Sequence, residues 1–402
     1  EGKVRWDDRV VDHLPGFELA DAQLTREVTI RDLLTHRAGL ANGDVLWVRT
    51  DLSPEEVLRR ARFIRIAYPA RSSFIYQNVM YAAAGAVVAA ASGMSWERFV
   101  TTRIFQPLGM TRTVATLAET KTMPNVAAPH DRGTDGKIHV VTNSSVDAVA
   151  AAGSVWSSVT DMAKWAAFMI DSGKVDGKRL LKPETWAELF KPQTIVPPSQ
   201  FYPSAQLTKP HWMTYGLGWF QQDYHGRMVQ FHTGSINGLI AIIGLIPEER
   251  LGVYVLANLD HVEVRHALML KAFDHWLGLG NRDWSTELRA LYRPMEAAAD
   301  SARARTERSR LTGTKPSLPL ERYTGSFADS MVGPVKVTLV DGQLRIRASS
   351  ERETTLEHWH LDTFAGRWEP WDFPSLFNFS IAANGTVDAL VMGGRRLGRV
   401  RQ

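Results

Sequence analysis

Three apolar, β-branched runs placed among helix signals restrict what this chain can fold into. Met228 to Phe231, Leu239 to Ile246 and Leu251 to Leu256 are short runs broken by Gly, Pro and Glu-Glu-Arg, so they read as an antiparallel meander. Upstream, Ser53-Pro54-Glu55-Glu56 is a capping box with proline at the first helical position, and it opens a helix to about Arg62. Residues Asn78 to Ala91 spell an Ala-rich helix closed by Gly93. Ser95 caps another, which stops at Pro107-Leu108-Gly109. Ser158-Val-Thr-Asp161 caps a helix to Ile170 with Gly173 behind it, and a further helix begins near Pro183. A helix from Val262 to Leu277 follows the meander and is placed to pack on it. The expected class is α/β, more narrowly α+β: an antiparallel sheet flanked by helices.

After the meander the period changes twice. A charge-rich helix from Ser285 to about Arg310 leads into Thr312-Gly-Thr-Lys-Pro-Ser317, which has linker composition. From Tyr323 to Val400, strand-like segments alternate with Asp341-Gly342 and Asn384-Gly385, both hairpin signals. The expected organisation is a main domain over 1–284, a helix and linker over 285–317, and a small β-domain over 318–402.

Composition narrows the function classes. With 402 residues, 44% hydrophobic and 22% charged, the chain is ordinary globular material with room for two domains. The net charge of +4 gathers in Arg303, Arg305, Arg308 and Arg310 and in the tail Arg395, Arg396, Arg399 and Arg401. No aromatic or Gly-rich binding motif accompanies them, so they read as a solvated helix face and a ragged terminus, with no nucleic-acid partner. The absence of cysteine excludes a disulfide scaffold, a thiol nucleophile and a thiolate metal site, and it is compatible with an oxidising compartment. The uncharged run from Val79 to Trp96 reaches membrane-spanning length but is mostly Ala and Gly, and it reads as a buried core helix with no membrane span.

Chemistry is carried by Tyr76-Gln77-Asn78 and His232-Thr233-Gly234. Together with Thr29-Ile-Arg-Asp-Leu-Leu-Thr-His-Arg-Ala-Gly-Leu40, Phe105-Gln-Pro-Leu-Gly-Met-Thr111, Ala152-Gly-Ser-Val-Trp-Ser-Ser158 and Tyr215-Gly-Leu-Gly-Trp219, they stand in the order found in the class C β-lactamase and D-amino-acid peptidase family of penicillin-recognising serine hydrolases, which the chain resembles over most of its length. The resemblance implies the β-lactamase/DD-peptidase fold and an acyl-enzyme mechanism on an amide or ester. The segment around Leu356-Glu-His-Trp-His-Leu-Asp-Thr-Phe364 resembles the small lipocalin-like β-barrel appended to some members.

By the same resemblance, Tyr76 is the phenol that shares proton transfer with a lysine, Asn78 holds that lysine and the substrate amide, and His232 stands where many relatives have lysine. Thr233 and Gly234 form the strand edge that pairs with substrate, and the backbone N–H of Ser235 is one of two oxyanion donors. A phenol acting as a base near neutrality needs a cationic neighbour, and His232 is the candidate. The nucleophile is not among these residues. No lysine here has serine three positions before it, and the Thr-x-x-Lys matches at Thr134 and Thr312 lie in Gly-containing loops. The opening Glu1 to Val10 resembles the stretch that closes the nucleophile-bearing helix. The expectation is therefore a start just after that helix, a chain inactive and poorly folded alone, and a serine supplied by a separate N-terminal segment or an oligomer partner.

Other readings follow from the same residues. A non-catalytic binding or regulatory homologue would keep the cleft without the nucleophile. A metal-dependent hydrolase would use scattered histidines and be exposed by a chelator. His358 and His360 would need a third ligand to hold a metal, which the sequence does not place, and they are expected to flank Trp359 in aromatic filling of the barrel. No cofactor or metal is implied. Asp32 and His36 are read on one helix in capping or core roles. Loops Asn42 to Leu52 and Pro197 to Trp212 are expected to shape the cleft, with Tyr202, Trp212 and Trp219 as an apolar wall against a small-molecule or peptide substrate. The family implies a periplasmic or extracellular location.

Overall fold

A computed structural model describes residues 1–133, 135–260, 263–368 and 374–400; Thr134, Val262 and Arg401 lie outside them. The chain divides into two compact units, one of Glu1–Asp44, Pro54–Asp131 and Val140–Arg293, the other of Val45–Ser53, Arg132–His139 and Pro294–Gln402.

The first unit is built on a six-stranded antiparallel meander of β1 (Thr194–Ile195), β2 (Met213–Tyr215), β3 (Phe220–Tyr224), β4 (Arg227–Ile236), β5 (Leu239–Ile246) and β6 (Leu251–Ala257), ordered β6-β5-β4-β3-β2-β1. The apolar runs of β5 are buried on both faces: Ile242 packs in a cluster with Phe74, Tyr215, Phe220, Phe231 and Phe273, and Ile243 in a second with Phe105, Phe168 and Trp219. Strand β3 carries Gln221 and Gln222 where apolar residues are expected. Both are buried, and Gln221 Nε2 donates to Phe190 O at 2.6 Å and Gln230 Oε1 at 2.8 Å, while its Oε1 accepts from Thr214 Oγ1 at 2.8 Å, so the Gln221 amide is satisfied inside the sheet.

The helices used below are α1 (Ile30–Leu34), α2 (Pro54–Arg60), α3 (Asn78–Ser92), α4 (Trp96–Val100), α5 (Val159–Ile170), α6 (Pro183–Phe190), α7 (Val264–Leu277) and α8 (Trp284–Arg308), with several shorter ones between them. Their caps are largely those expected: Ser95 and Ser158 accept from the N–H of Arg98 and Asp161, and Gly93 closes α3 at φ 74°. Val79, Met80, Ala83 and Val87 are buried, and no single helix among the described residues is long and apolar enough to cross a membrane.

One placement differs. Asp32 sits on α1, completes a capping box with Thr29, and holds Arg37 and Arg71 at 2.7 Å each. His36 is not on that helix. It lies two residues past its end in the left-handed region, at φ 53°, with its ring in the core.

The second unit contains a closed barrel of eight antiparallel strands: β7 (Gly325–Ala328), β8 (Val335–Val340), β9 (Gln343–Ser349), β10 (Arg352–His360), β11 (Thr363–Gly366), β12 (Ser375–Ile381), β13 (Val387–Met392) and β14 (Arg395–Arg399). Tyr323, Phe327, Phe364, Phe377, Phe379, Leu390 and Leu397 make one buried cluster. Three of the four tail arginines, Arg395, Arg396 and Arg399, are not ragged: they occupy β14, where Arg395 pairs with Asp329 at 2.8 Å and Arg396 with Asp388 at 3.0 Å. His358 Nε2 meets Leu361 O at 2.9 Å, and His360 Nδ1 accepts from Leu311 N–H at 3.1 Å, so both bind the chain around β10. Residues 45–53, read as part of a cleft loop, belong to this unit: Ser349 Oγ donates to Arg49 O, and Ser350 N–H to Asp51 Oδ2, each at 2.8 Å.

Candidate active site

The six named site residues sit at two places in the first unit, the loop that enters α3 and the end of β4. Tyr76 is held by its neighbours' backbones. Ile75 N–H donates to His36 O at 3.1 Å and Gln77 N–H to His36 Nδ1 at 3.0 Å, while the His36 ring lies 4.3 Å from the Tyr76 ring. Gln77, at the N-cap position of α3, gives no side-chain cap. Its amide instead ties to Ala41 O and Gly43 N–H at 2.6 and 3.1 Å. The Tyr76 hydroxyl has no hydrogen-bond partner among the described residues. Burial, reinforced by Tyr81, Tyr202 and Asp44, pushes its pKa well above the ordinary phenol value.

Asn78 is the first residue of α3, and its Nδ2 donates to Asp44 Oδ1 at 3.1 Å. Asp44 also accepts from Asn42 Nδ2 at 2.9 Å, so the carboxylate fixes how the Asn78 amide is turned.

At the other place, pairing geometry opens the edge of β4. Strand β3 pairs with Arg227 to Phe231 only, whereas His232 to Ile236 pair with β5 alone. Among the described residues, the edge from His232 onward therefore has no strand beside it in the sheet. Gly234 and Ser235 are exposed, and an added Cβ at Gly234 would meet nothing within 4 Å, so the fold itself does not require glycine's missing side chain there. Thr233 Oγ1 is bonded to the Tyr202 hydroxyl at 2.6 Å.

His232 has both ring nitrogens engaged. Nδ1 lies 2.7 Å from Thr233 O, and because a carbonyl only accepts, Nδ1 carries the proton. Nε2 then accepts from the Tyr215 hydroxyl at 3.1 Å. Burial pushes the His232 pKa down to about 4; the Thr233 bond works against this and the Arg265 charge adds to it. His232 is thus neutral at pH 7, with its ring 5.9 Å from that of Tyr76, and it is not the cation that a lowered Tyr76 pKa requires.

Of the expected apolar wall, Tyr202 packs beside this site, while Trp219 is buried in the cluster with Phe190 and Phe168. Three supporting groups were not assigned to the site from the sequence: His36, read there in a capping or core role, Tyr215, quoted only within a family string, and Arg265. Arg265 is 4% exposed and donates to Gly234 O at 2.8 Å and Ser235 Oγ at 2.9 Å. The available signal was Glu263-Val-Arg265-His266, an acid, a base and an imidazole crowded at the start of a helix that otherwise packs on the sheet. Among the described residues, no group of three or more His, Asp or Glu side chains is arranged to hold a metal.

A family model described as Beta-lactamase matches residues 1–273, and one described as Domain of unknown function (DUF3471) matches residues 309–397. The Unguisins hydrolase ungD of Aspergillus violaceofuscus is 26% identical over 383 residues, 88% of this chain and 66% of that protein. Penicillin-binding protein 4 of Amycolatopsis lactamdurans is 28% identical over 261 residues, 64% of this chain and 66% of the relative. The chain spans just under two thirds of the length of these relatives. The octameric penicillin-binding protein homologue from Pyrococcus abyssi shares the fold, with TM-score 0.59 and 22% identity over 98% of this chain and 83% of that one.

Proposed function

The chain belongs to the beta-lactamase family, and from that premise we propose that its cleft performs acyl transfer on an amide or ester bond next to a carboxylate or a D-amino acid. The serine and lysine of the reaction come from a Ser-x-x-Lys segment outside these 402 residues, either elsewhere on the same polypeptide or on a partner chain. A periplasmic or extracellular location is part of the same reading.

In this reading the serine oxygen attacks the carbonyl carbon while its proton passes to the lysine–Tyr76 pair. The developing oxyanion accepts from Ser235 N–H and from the serine's own N–H. Collapse of the intermediate breaks the bond to the leaving group, which takes a proton from Tyr76; water then repeats the sequence to release the acid. The observation that carries the proposal is the unpartnered Tyr76 hydroxyl, on a ring 5.9 Å from that of His232, where the open edge of β4 begins. A phenol with a raised pKa suits the donor half of the cycle, and an arriving lysine ammonium would lower it for the acceptor half.

A fluorophosphonate probe on protein isolated from its source tests this. Wild type is expected to be phosphonylated on its serine, with fluoride leaving, and Tyr76→Phe to react about 100-fold more slowly, with an unchanged melting temperature because the hydroxyl has no hydrogen-bond partner among the described residues. A wild type that binds substrate analogues without acylating would establish the alternative, a non-catalytic binding or regulatory homologue, in which His232 keeps both nitrogens tied to the protein.

A further inference from the structure

Arg265 is placed against its local electrostatics. It is buried in the first turn of α7, where the helix dipole disfavours a cation, and its removal from water is costly. Glu263, just before the helix, offsets part of this: Oε1 takes Arg265 Nη2 at 3.2 Å, and Oε2 meets His266 Nδ1 at 2.8 Å. Burial works to raise the Glu263 pKa and is outweighed by the His266 bond and the Arg265 charge, which leave it below the ordinary value. Arg265 Nε is buried without a partner. A side chain held at such cost for packing alone could be replaced by an apolar one.

What the guanidinium touches gives it a use. Nη1 donates to Gly234 O at 2.8 Å and to Ser235 Oγ at 2.9 Å, and it lies 3.5 Å from Ala241 O, on the residue paired with Gly234 across β5. One nitrogen reaches both carbonyls only if Gly234 O faces β5. In a planar trans peptide the C=O and N–H point opposite ways, so Ser235 N–H faces the edge that β3 leaves unpaired. A cation on the oxygen of a peptide polarises that peptide and makes its N–H a better donor.

We propose that Arg265 is a positioning residue for the oxyanion donor: through the Gly234 carbonyl it fixes and polarises the Gly234–Ser235 peptide, so that Ser235 N–H is preset toward the charge that develops in acyl transfer. The proposal rests on the acyl-transfer reading above and adds a residue that touches neither substrate nor nucleophile.

The test has an arm independent of activity. Labelling the full chain with carbonyl-13C glycine and 15N serine isolates three Gly-Ser peptides, 153–154, 234–235 and 325–326. The double variant Arg265→Met/Glu263→Gln removes both charges together and so avoids an unpaired buried carboxylate. It is expected to move the 234–235 signal upfield and leave the other two in place, while Arg265→Lys retains most of the wild-type shift. In the fluorophosphonate assay, where negative charge develops on the phosphoryl oxygen in the same place, the double variant should be phosphonylated roughly 10-fold more slowly at unchanged probe affinity, with Arg265→Lys recovering most of the rate. An unmoved 234–235 signal overturns the proposal, and so does a moved signal with an unchanged phosphonylation rate. A wild type that never acylates overturns the acyl-transfer reading itself, and the three-signal spectrum then still decides whether Arg265 holds this peptide.

Discussion

Single side chains here act through fixed hydrogen-bond directions. Thr233 O and the Tyr215 hydroxyl leave His232 one tautomer and no free nitrogen, and burial keeps it neutral. The folded pKa of about 4 lies below the ordinary 6.5, so between these values the unfolded chain binds a proton that the folded chain refuses. Stability from this residue is complete above pH 6.5 and falls as pH drops toward 4, by up to about 3 kcal/mol. His36 and His266 are lowered by burial and act with the same sign. Urea midpoints at pH 7 and pH 4.5 should therefore differ less for His232→Gln than for wild type. Equal differences would remove His232 from the account. The string His232-Thr-Gly234 was legible in the sequence, but the charge of the histidine was not, because Tyr215 reaches it from a strand that is not its neighbour in the sheet. Likewise nothing local announced that His36, past the end of its helix, would bracket Tyr76.

At the level of elements, the site depends on β5 lying close against α7, since α7 carries Arg265 to the back of β4. Gly244 of β5 is the closest approach: a Cβ there would collide with Met269 and come within 2.8 Å of Phe273 Cζ. Gly244→Ala is expected to cost about 1–3 kcal/mol, read as a lowered urea midpoint, because a packed interface cannot absorb a methyl group without backbone or rotamer shifts. An unchanged midpoint would show that the Met269 and Phe273 side chains yield to the added methyl group and that this contact does not set the spacing of β5 and α7. The meander was legible because β5 and β6 are continuous apolar runs. Strand β3 was not, because its burial is satisfied by glutamine pairs whose partners, Phe190 O and Gln230, lie elsewhere in the chain.

On the scale of the molecule, the barrel has its own closed ladder and its own buried cluster. Residues 309–402 expressed alone should unfold in one cooperative step with a near-ultraviolet signal from Trp359 and Trp368, both buried; a fragment without that signal would tie the barrel's folding to the rest of the chain. Its hairpins were readable from Asp341-Gly342 and Asn384-Gly385. The membership of residues 45–53 was not, since it rests on bonds to Ser349 and Ser350 roughly three hundred residues away. The two sheets also end differently. The barrel closes on itself, whereas the meander stops at β6, which pairs only with β5 among the described residues. A closed ladder is indifferent to crowding, but an open row of amides and carbonyls recruits other open rows as concentration climbs. Outer strands such as Leu251–Ala257 are therefore expected to set how fast a concentrated solution self-associates, a property that no melting temperature will report.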